Sequence, residues 1–183
     1  MPLFERQVES RTVFEGRIVK LRLDVNELQD GRRAGREIVE HPGGVAVLPV
    51  DSDGNAYMVR QFRAPFGEVV LEAPAGKLEP GEDPLPAGVR ELAEEVGASA
   101  GRITPLGRGY VSPGFCTEVI HMYLATDLTF GDSHPDDGEF LECERIPLDA
   151  LYEMTLRGEI LDAKTQIAVL KAHALIASGE VTL

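Results

Sequence analysis

The sequence predicts an α/β sandwich with a mixed sheet, preceded by a small antiparallel β-sheet at the N-terminus. Three observations predict it. Apolar runs and alternating segments bounded by turn signals recur from residue 3 to about residue 146. A well-delimited helix interrupts them near the middle of the chain, and two more helices close it. With 183 residues and 43% hydrophobic composition, the chain is long enough for one domain with a small appendage.

Residues 3 to 41 alternate polar and apolar side chains, as in Gly16-Arg-Ile-Val-Lys-Leu-Arg-Leu-Asp-Val-Asn-Glu-Leu, and carry the turn signal Asp30-Gly31. A meander this small has little core of its own, so it should lie on the following domain or pair with another subunit. His41-Pro42-Gly43-Gly44 marks the boundary, which divides the chain into 1–41 and 42–183. Next come Val45 to Val50 and Tyr57 to Arg63, expected as a hairpin about the turn Asp51-Ser-Asp-Gly54-Asn. Glu68 to Ala73 is a third strand that leads into a glycine loop at Gly76. Further strands are expected over 107–111, 117–125 and 140–146, separated by Ser112-Pro113-Gly114 and by the acidic loop 132–139. The closing helices run over 148–157 and 163–178, stopped by Gly158 and Gly179.

The central helix is readable from its ends. Asp83 suits the cap, Pro84 the first helical position, and Gly97 the left-handed residue that ends it. Leu85, Val89, Leu92 and Val96 form the expected buried stripe. Glu91, Glu94 and Glu95 fall together on another face, where Arg90 can hold one of them. Such a face is often no more than solvated helix surface. It is also a candidate metal site, because clustered carboxylates approach a diphosphate only through divalent cations, and oxygen donors favour Mg²⁺ or Mn²⁺.

The stretch from Gly76 to Ala98 fits G-x5-E-x7-R-E-U-x-E-E-x-G-U, with U apolar, at every position, and so resembles the signature of the Nudix hydrolases. The resemblance implies a Nudix-type α/β/α sandwich and metal-dependent cleavage of a nucleoside diphosphate linked to another group. It implies Glu91 and Glu95 as metal ligands, Glu94 as a ligand or close neighbour, and Ala75 as a ligand through its backbone carbonyl. Glu82 and Arg90 would orient the loop and helix.

Val59-Arg60-Gln61-Phe62-Arg63, Glu72-Ala-Pro-Ala-Gly76, Ser112-Pro113-Gly114 and Glu159-Ile-Leu-Asp162-Ala-Lys-Thr are similar to the ADP-ribose pyrophosphatase branch. That resemblance implies hydrolysis of ADP-ribose to AMP and ribose 5-phosphate by a homodimer with exchanged N-terminal sheets. It implies that Arg36 and Arg63 meet substrate phosphate and that Glu118 accepts from a ribose hydroxyl. Alternatives are another nucleoside diphosphate derivative, such as a sugar nucleotide, dinucleotide or oxidised nucleotide, and a domain that senses nucleotide without cleaving it. Phe62, Phe66 and Phe115 are candidates either for stacking on adenine or for the core.

With the helix glutamates assigned to metal, the proton acceptor is expected from a loop. The loop from Gly131 to Glu139 is long and acidic, and Glu139 stands where the branch carries its candidate base; Glu142 is the nearest competitor. The four histidines are isolated in sequence. A formal charge of −13 argues against nucleic-acid or anionic-membrane binding. No apolar run has membrane-spanning length and no signal peptide is recognisable, so a cytoplasmic protein with free Cys116 and Cys143 is expected.

Overall fold

The computed structural model describes residues 3–136 and 138–183. The chain folds as two compact units. One is formed by the segment up to Gly43 together with Tyr110–Val119, the other by Gly44–Gly109 and Ile120–Leu183.

In the first unit β1 (Glu5–Glu15), β2 (Lys20–Leu28) and β3 (Arg33–Glu40) form an antiparallel meander in that order. Gly31, at φ 83°, supplies the left-handed residue of the β2–β3 turn. β1 exposes nearly all of its side chains, so this sheet depends on its ladders. An exposed cross-strand ion pair such as Arg6–Glu27 at 2.9 Å adds little. The segment after Ser112-Pro113-Gly114 adds to β3: Val39 N–H donates to Phe115 O at 2.7 Å and Thr117 N–H to Val39 O at 2.9 Å.

The second unit is built around β4 (Gly44–Pro49). It pairs antiparallel with β7 (Ala75–Lys77) and parallel with β9 (Val119–Phe130), beyond which lies β8 (Ala98–Tyr110). A separate antiparallel sheet places β5 (Asn55–Arg63) between β6 (Glu68–Glu72) and β10 (Leu141–Pro147). The helices are α1 (Pro84–Val96), α2 (Leu148–Leu156) and α3 (Ala163–Ala177). Alternation along β4 and β9 produces the layers. Ala46, Leu48, Ile120, Met122 and Leu124 pack with Leu148 and Leu151 of α2 and Ala168, Val169 and Ala172 of α3. Val47, Tyr123 and Ala125 instead join Leu92 and Val96 of α1. Every residue of β4 is buried, as a strand covered on both faces must be.

Several elements depart from the sequence reading. The 45–50 and 57–63 strands do not pair as a hairpin. Their turn is present, with Asp51 N–H donating to Asn55 O at 2.9 Å, but only one bridge, Val50 to Ala56, joins them. Both edges of β4 are already occupied by β7 and β9, so β5 crosses to the other sheet. On α1, Leu85 and Val89 are 46% and 43% exposed, and the buried face is Ala87, Gly88, Glu91, Leu92, Glu95 and Val96. Small residues let the helix sit close to β4, and this turns two glutamates inward with them. Asp83 occupies the cap without a side-chain hydrogen bond, whereas Gly97 takes the left-handed conformation at φ 68° as expected. The short strand β7 stands where the sequence signals only a glycine loop. Gly101, Pro105 and Gly107 break the alternation of β8, so the strand begins well before the 107–111 segment that the sequence signals.

Candidate active site

The site begins where β7 meets α1. A Cβ on Gly76 would stand 1.8 Å from Glu91 Oε1, so only glycine lets that carboxylate lie against the strand. One turn further along α1, Glu95 is 5% exposed and accepts from Ala75 N–H at 2.9 Å. Burial, reinforced by the charges of Glu91 and Glu139 and opposed by the Ala75 hydrogen bond, pushes the Glu95 carboxyl up to about 8. Glu91 is raised too, again chiefly by burial, against the opposing pull of Arg90. Of the two, Glu95 is the one short of positive charge.

Arg90 organises the rest. Its Nη1 donates to Glu91 Oε1 and Glu94 Oε2, both at 2.8 Å, while Nε and Nη2 reach the two oxygens of Glu82 at 3.2 Å. Glu82 also accepts from Glu79 N–H at 2.9 Å, which closes the loop before α1, and Arg90 holds its carboxyl below the usual range. Thus Arg90 ties loop to helix, and among the described residues Glu95 has no cation in direct contact. Glu91, Glu94, Glu95 and the backbone of Ala75 are oxygen donors, the type that suits a hard divalent cation, but no three His, Cys, Asp or Glu side chains among the described residues are already arranged around one metal position. A cation near Glu95 would relieve the cost of burying its carboxylate, so the donor chemistry and electrostatics, though not a preformed ligand shell, suit a metal.

The loop carrying Glu139 is tied to the C-terminal turn of α1, where Gly131 N–H donates to Gly97 O at 2.7 Å and His134 N–H to Glu94 O at 2.9 Å. These bonds satisfy carbonyls that the helix end leaves free. The Glu139 charge bears on both Glu91 and Glu95, whereas Glu142 lies exposed on β10 opposite Arg60.

Arg63, on β5, donates through Nε and Nη2 to the two oxygens of Glu72 at 2.5 and 2.8 Å. Glu72 is 2% exposed and also receives Lys164. Burial pushes its carboxyl up, but Arg63 and Lys164 together outweigh it and leave it lowered. Residues 72 and 164 are 92 apart in sequence, and no local pattern announces the pair. Arg36 and Glu118 belong to the first unit. There Arg36 pairs with Glu5, and Glu118 lies 3.5 Å from His41 Nδ1. Phe62, Phe66 and Phe115 are 60%, 77% and 53% exposed, so none is a core residue. Cys116 and Cys143 are free, and no described helix is long and apolar enough to cross a membrane.

Known proteins share this architecture. A solved structure described as an ADP compounds hydrolase superposes with a TM-score of 0.85 at 23% identity, covering 99% of this chain and 100% of that one. An ADP-ribose pyrophosphatase of Bacillus subtilis (strain 168) is 39% identical over 169 residues, 91% of each chain. A methanol dehydrogenase activator of Bacillus methanolicus is 40% identical over 167 residues, 90% of each. The family model for the NUDIX domain matches residues 40–166, a span that contains the glycine of β7, the carboxylates of α1 and the loop that carries Glu139. With relatives of this similarity along nearly its whole length, the chain belongs to the Nudix family.

Proposed function

We propose that the protein hydrolyses the diphosphate bond of ADP-ribose, giving AMP and ribose 5-phosphate. The observation that carries this reading is the buried pair Glu91 and Glu95, the second set against the backbone of Ala75, in a chain 39% identical to a protein named ADP-ribose pyrophosphatase. Members of this family generally depend on a divalent metal, and the all-oxygen donor set here favours Mg²⁺ or Mn²⁺. Glu91, Glu95 and the Ala75 carbonyl would hold such an ion, which would supply charge neutralisation of phosphate oxygens and acidification of water.

The remaining steps fall to residues of the chain. Glu94 is held beside the ligands by Arg90 and adds a third carboxylate to the same face. Glu139, whose charge reaches both buried glutamates, takes the proton from the attacking water as its oxygen bonds to a diphosphate phosphorus and the bridging P–O bond breaks. Arg63 presents donors to the diphosphate, Arg36 does so from the N-terminal sheet, and Glu118 accepts from a ribose hydroxyl. A homodimer, held by residues 1–41, would bring two N-terminal sheets to two shared sites, and two free cysteines suit the cytoplasm. The test is a substrate panel: ADP-ribose, sugar nucleotides, dinucleotides and nucleoside triphosphates are incubated separately with metal and protein. ADP-ribose should show the highest kcat/KM; a clear preference for any other compound removes the substrate assignment.

A further inference from the structure

Lys164 takes no step in the reaction proposed above, yet its side chain is only 16% exposed and holds two carboxylates. It stands in the first turn of α3, whose cap, Asp162, accepts from Thr165 N–H and from Lys164 Nζ, each at 2.9 Å. The other partner of Lys164 is Glu72 Oε2, the oxygen that also accepts from Arg63 Nη2. The same turn grips the next residue of the chain, since Ala73 N–H donates to Thr165 Oγ1 at 2.7 Å and both residues are fully buried. The start of α3 therefore fixes the end of β6, two residues before Ala75.

This arrangement has a consequence for Arg63. Its Nε–H and one Nη2–H are used on Glu72, which leaves two Nη1–H and one Nη2–H on the free edge of a planar fork. The charge of that fork is felt at Glu95, so it lies within electrostatic reach of the carboxylate face. A carboxylate held by Arg63 alone could swing together with it. Pinned from the opposite side by Lys164, which is itself pinned on the cap of α3, the Glu72 carboxylate has a fixed plane, and the guanidinium paired to it is fixed likewise. Two cations on one buried carboxylate also keep it ionised, as side-on pairing with Arg63 requires.

We propose that Lys164 is a positioning residue for the substrate diphosphate: through Glu72 it orients the guanidinium of Arg63 toward the phosphate oxygens. This rests on the assignment of Arg63 to the diphosphate under Proposed function.

The test is steady-state kinetics on ADP-ribose, or on whichever nucleoside diphosphate derivative the wild type cleaves best. It is paired with the affinity of the metal-loaded protein for the methylene-bridged, uncleavable analogue of that substrate. Lys164→Met raises KM and the analogue Kd by about tenfold, the scale of one loosened phosphate contact, with kcat within about threefold of wild type. Lys164→Arg keeps a cation on Glu72 and recovers most of the loss. In an Arg63→Ala background Lys164→Met adds less than about twofold, because the group it positions is gone. Should Lys164→Met fail to fold, Lys164→Gln carries the same comparison.

Unchanged KM and Kd together with a lowered thermal midpoint would make Lys164 a structural residue and overturn the proposal. A full tenfold loss in the Arg63→Ala background would overturn it as well, since Lys164 would then act on substrate independently of Arg63. If Arg63→Ala leaves KM unchanged, the assignment of Arg63 fails and this inference fails with it. A wild type that prefers another nucleoside diphosphate removes only the substrate assignment.

Discussion

Replacing Glu95 by glutamine should make the metal-free protein more stable at pH 8 than the wild type, although it removes a residue assigned to the active site. Glu95 is 5% exposed, and its carboxyl rises from 4.5 to about 8 in the folded chain. Between those pH values the folded protein holds a proton that the unfolded chain has released, so stability falls as pH rises through the window and the loss is complete above about 8. At roughly 1.4 kcal/mol per tenfold step in proton affinity, the loss is on the order of 5 kcal/mol at most. In a protein of this length each kcal/mol moves the thermal midpoint by about 2–4 °C, which puts the difference at about 10–20 °C at most. Glutamine has no proton to lose and can still accept from Ala75 N–H. Melting curves in a chelator from pH 5 to pH 9 should therefore show the wild type losing midpoint relative to Glu95→Gln as pH rises. Saturating Mg²⁺ should restore the wild type most at high pH and barely affect the mutant. Parallel pH profiles for the two proteins would refute the claim that Glu95 is a buried carboxyl awaiting a cation.

Three further outcomes follow from the geometry. Gly76→Ala places a methyl 1.8 Å from Glu91 Oε1, so it should displace that carboxylate and weaken metal binding, read by titration calorimetry, by at least about tenfold. An unaltered metal affinity would remove Glu91 from the ligand set. Glu139→Gln should lower kcat by about 10²-fold with metal affinity little changed, the scale of general-base loss, while Glu142→Gln stays near wild type; the reverse pattern would move the base to Glu142. Deleting residues 1–41 should give an aggregated or inactive monomer, and a fully active monomer by sedimentation would show that the sites are not shared.

Much of the site was legible in the sequence because it is local. Glu82, Arg90, Glu91, Glu94 and Glu95 lie within fourteen consecutive residues, and helical spacing alone places Arg90 beside Glu94. Spacing does not disclose depth. Glu91 and Glu95 look like solvated surface beside an expected stripe through Leu85 and Val89, yet α1 buries the glutamates and exposes those apolar residues. Helix periodicity fixes angles around an axis, and which side turns inward is decided by the strand it meets, here through the small residues Ala87 and Gly88. The partition of β4 and β5 between two sheets was hidden for a similar reason, since a turn signal reports a reversal of the chain and not which edges remain free to pair. The pairing of Glu72 with Lys164 is a long-range contact between a strand end and a helix start, and nothing in either segment alone encodes it.

The most direct test of the central claim is to incubate the purified protein with ADP-ribose and Mg²⁺ and to separate the products by chromatography. Equal amounts of AMP and ribose 5-phosphate should form, and their formation should stop on addition of a chelator. If ADP-ribose remains intact under conditions where a nucleoside triphosphate is cleaved, the account of this site as an ADP-ribose hydrolase is contradicted.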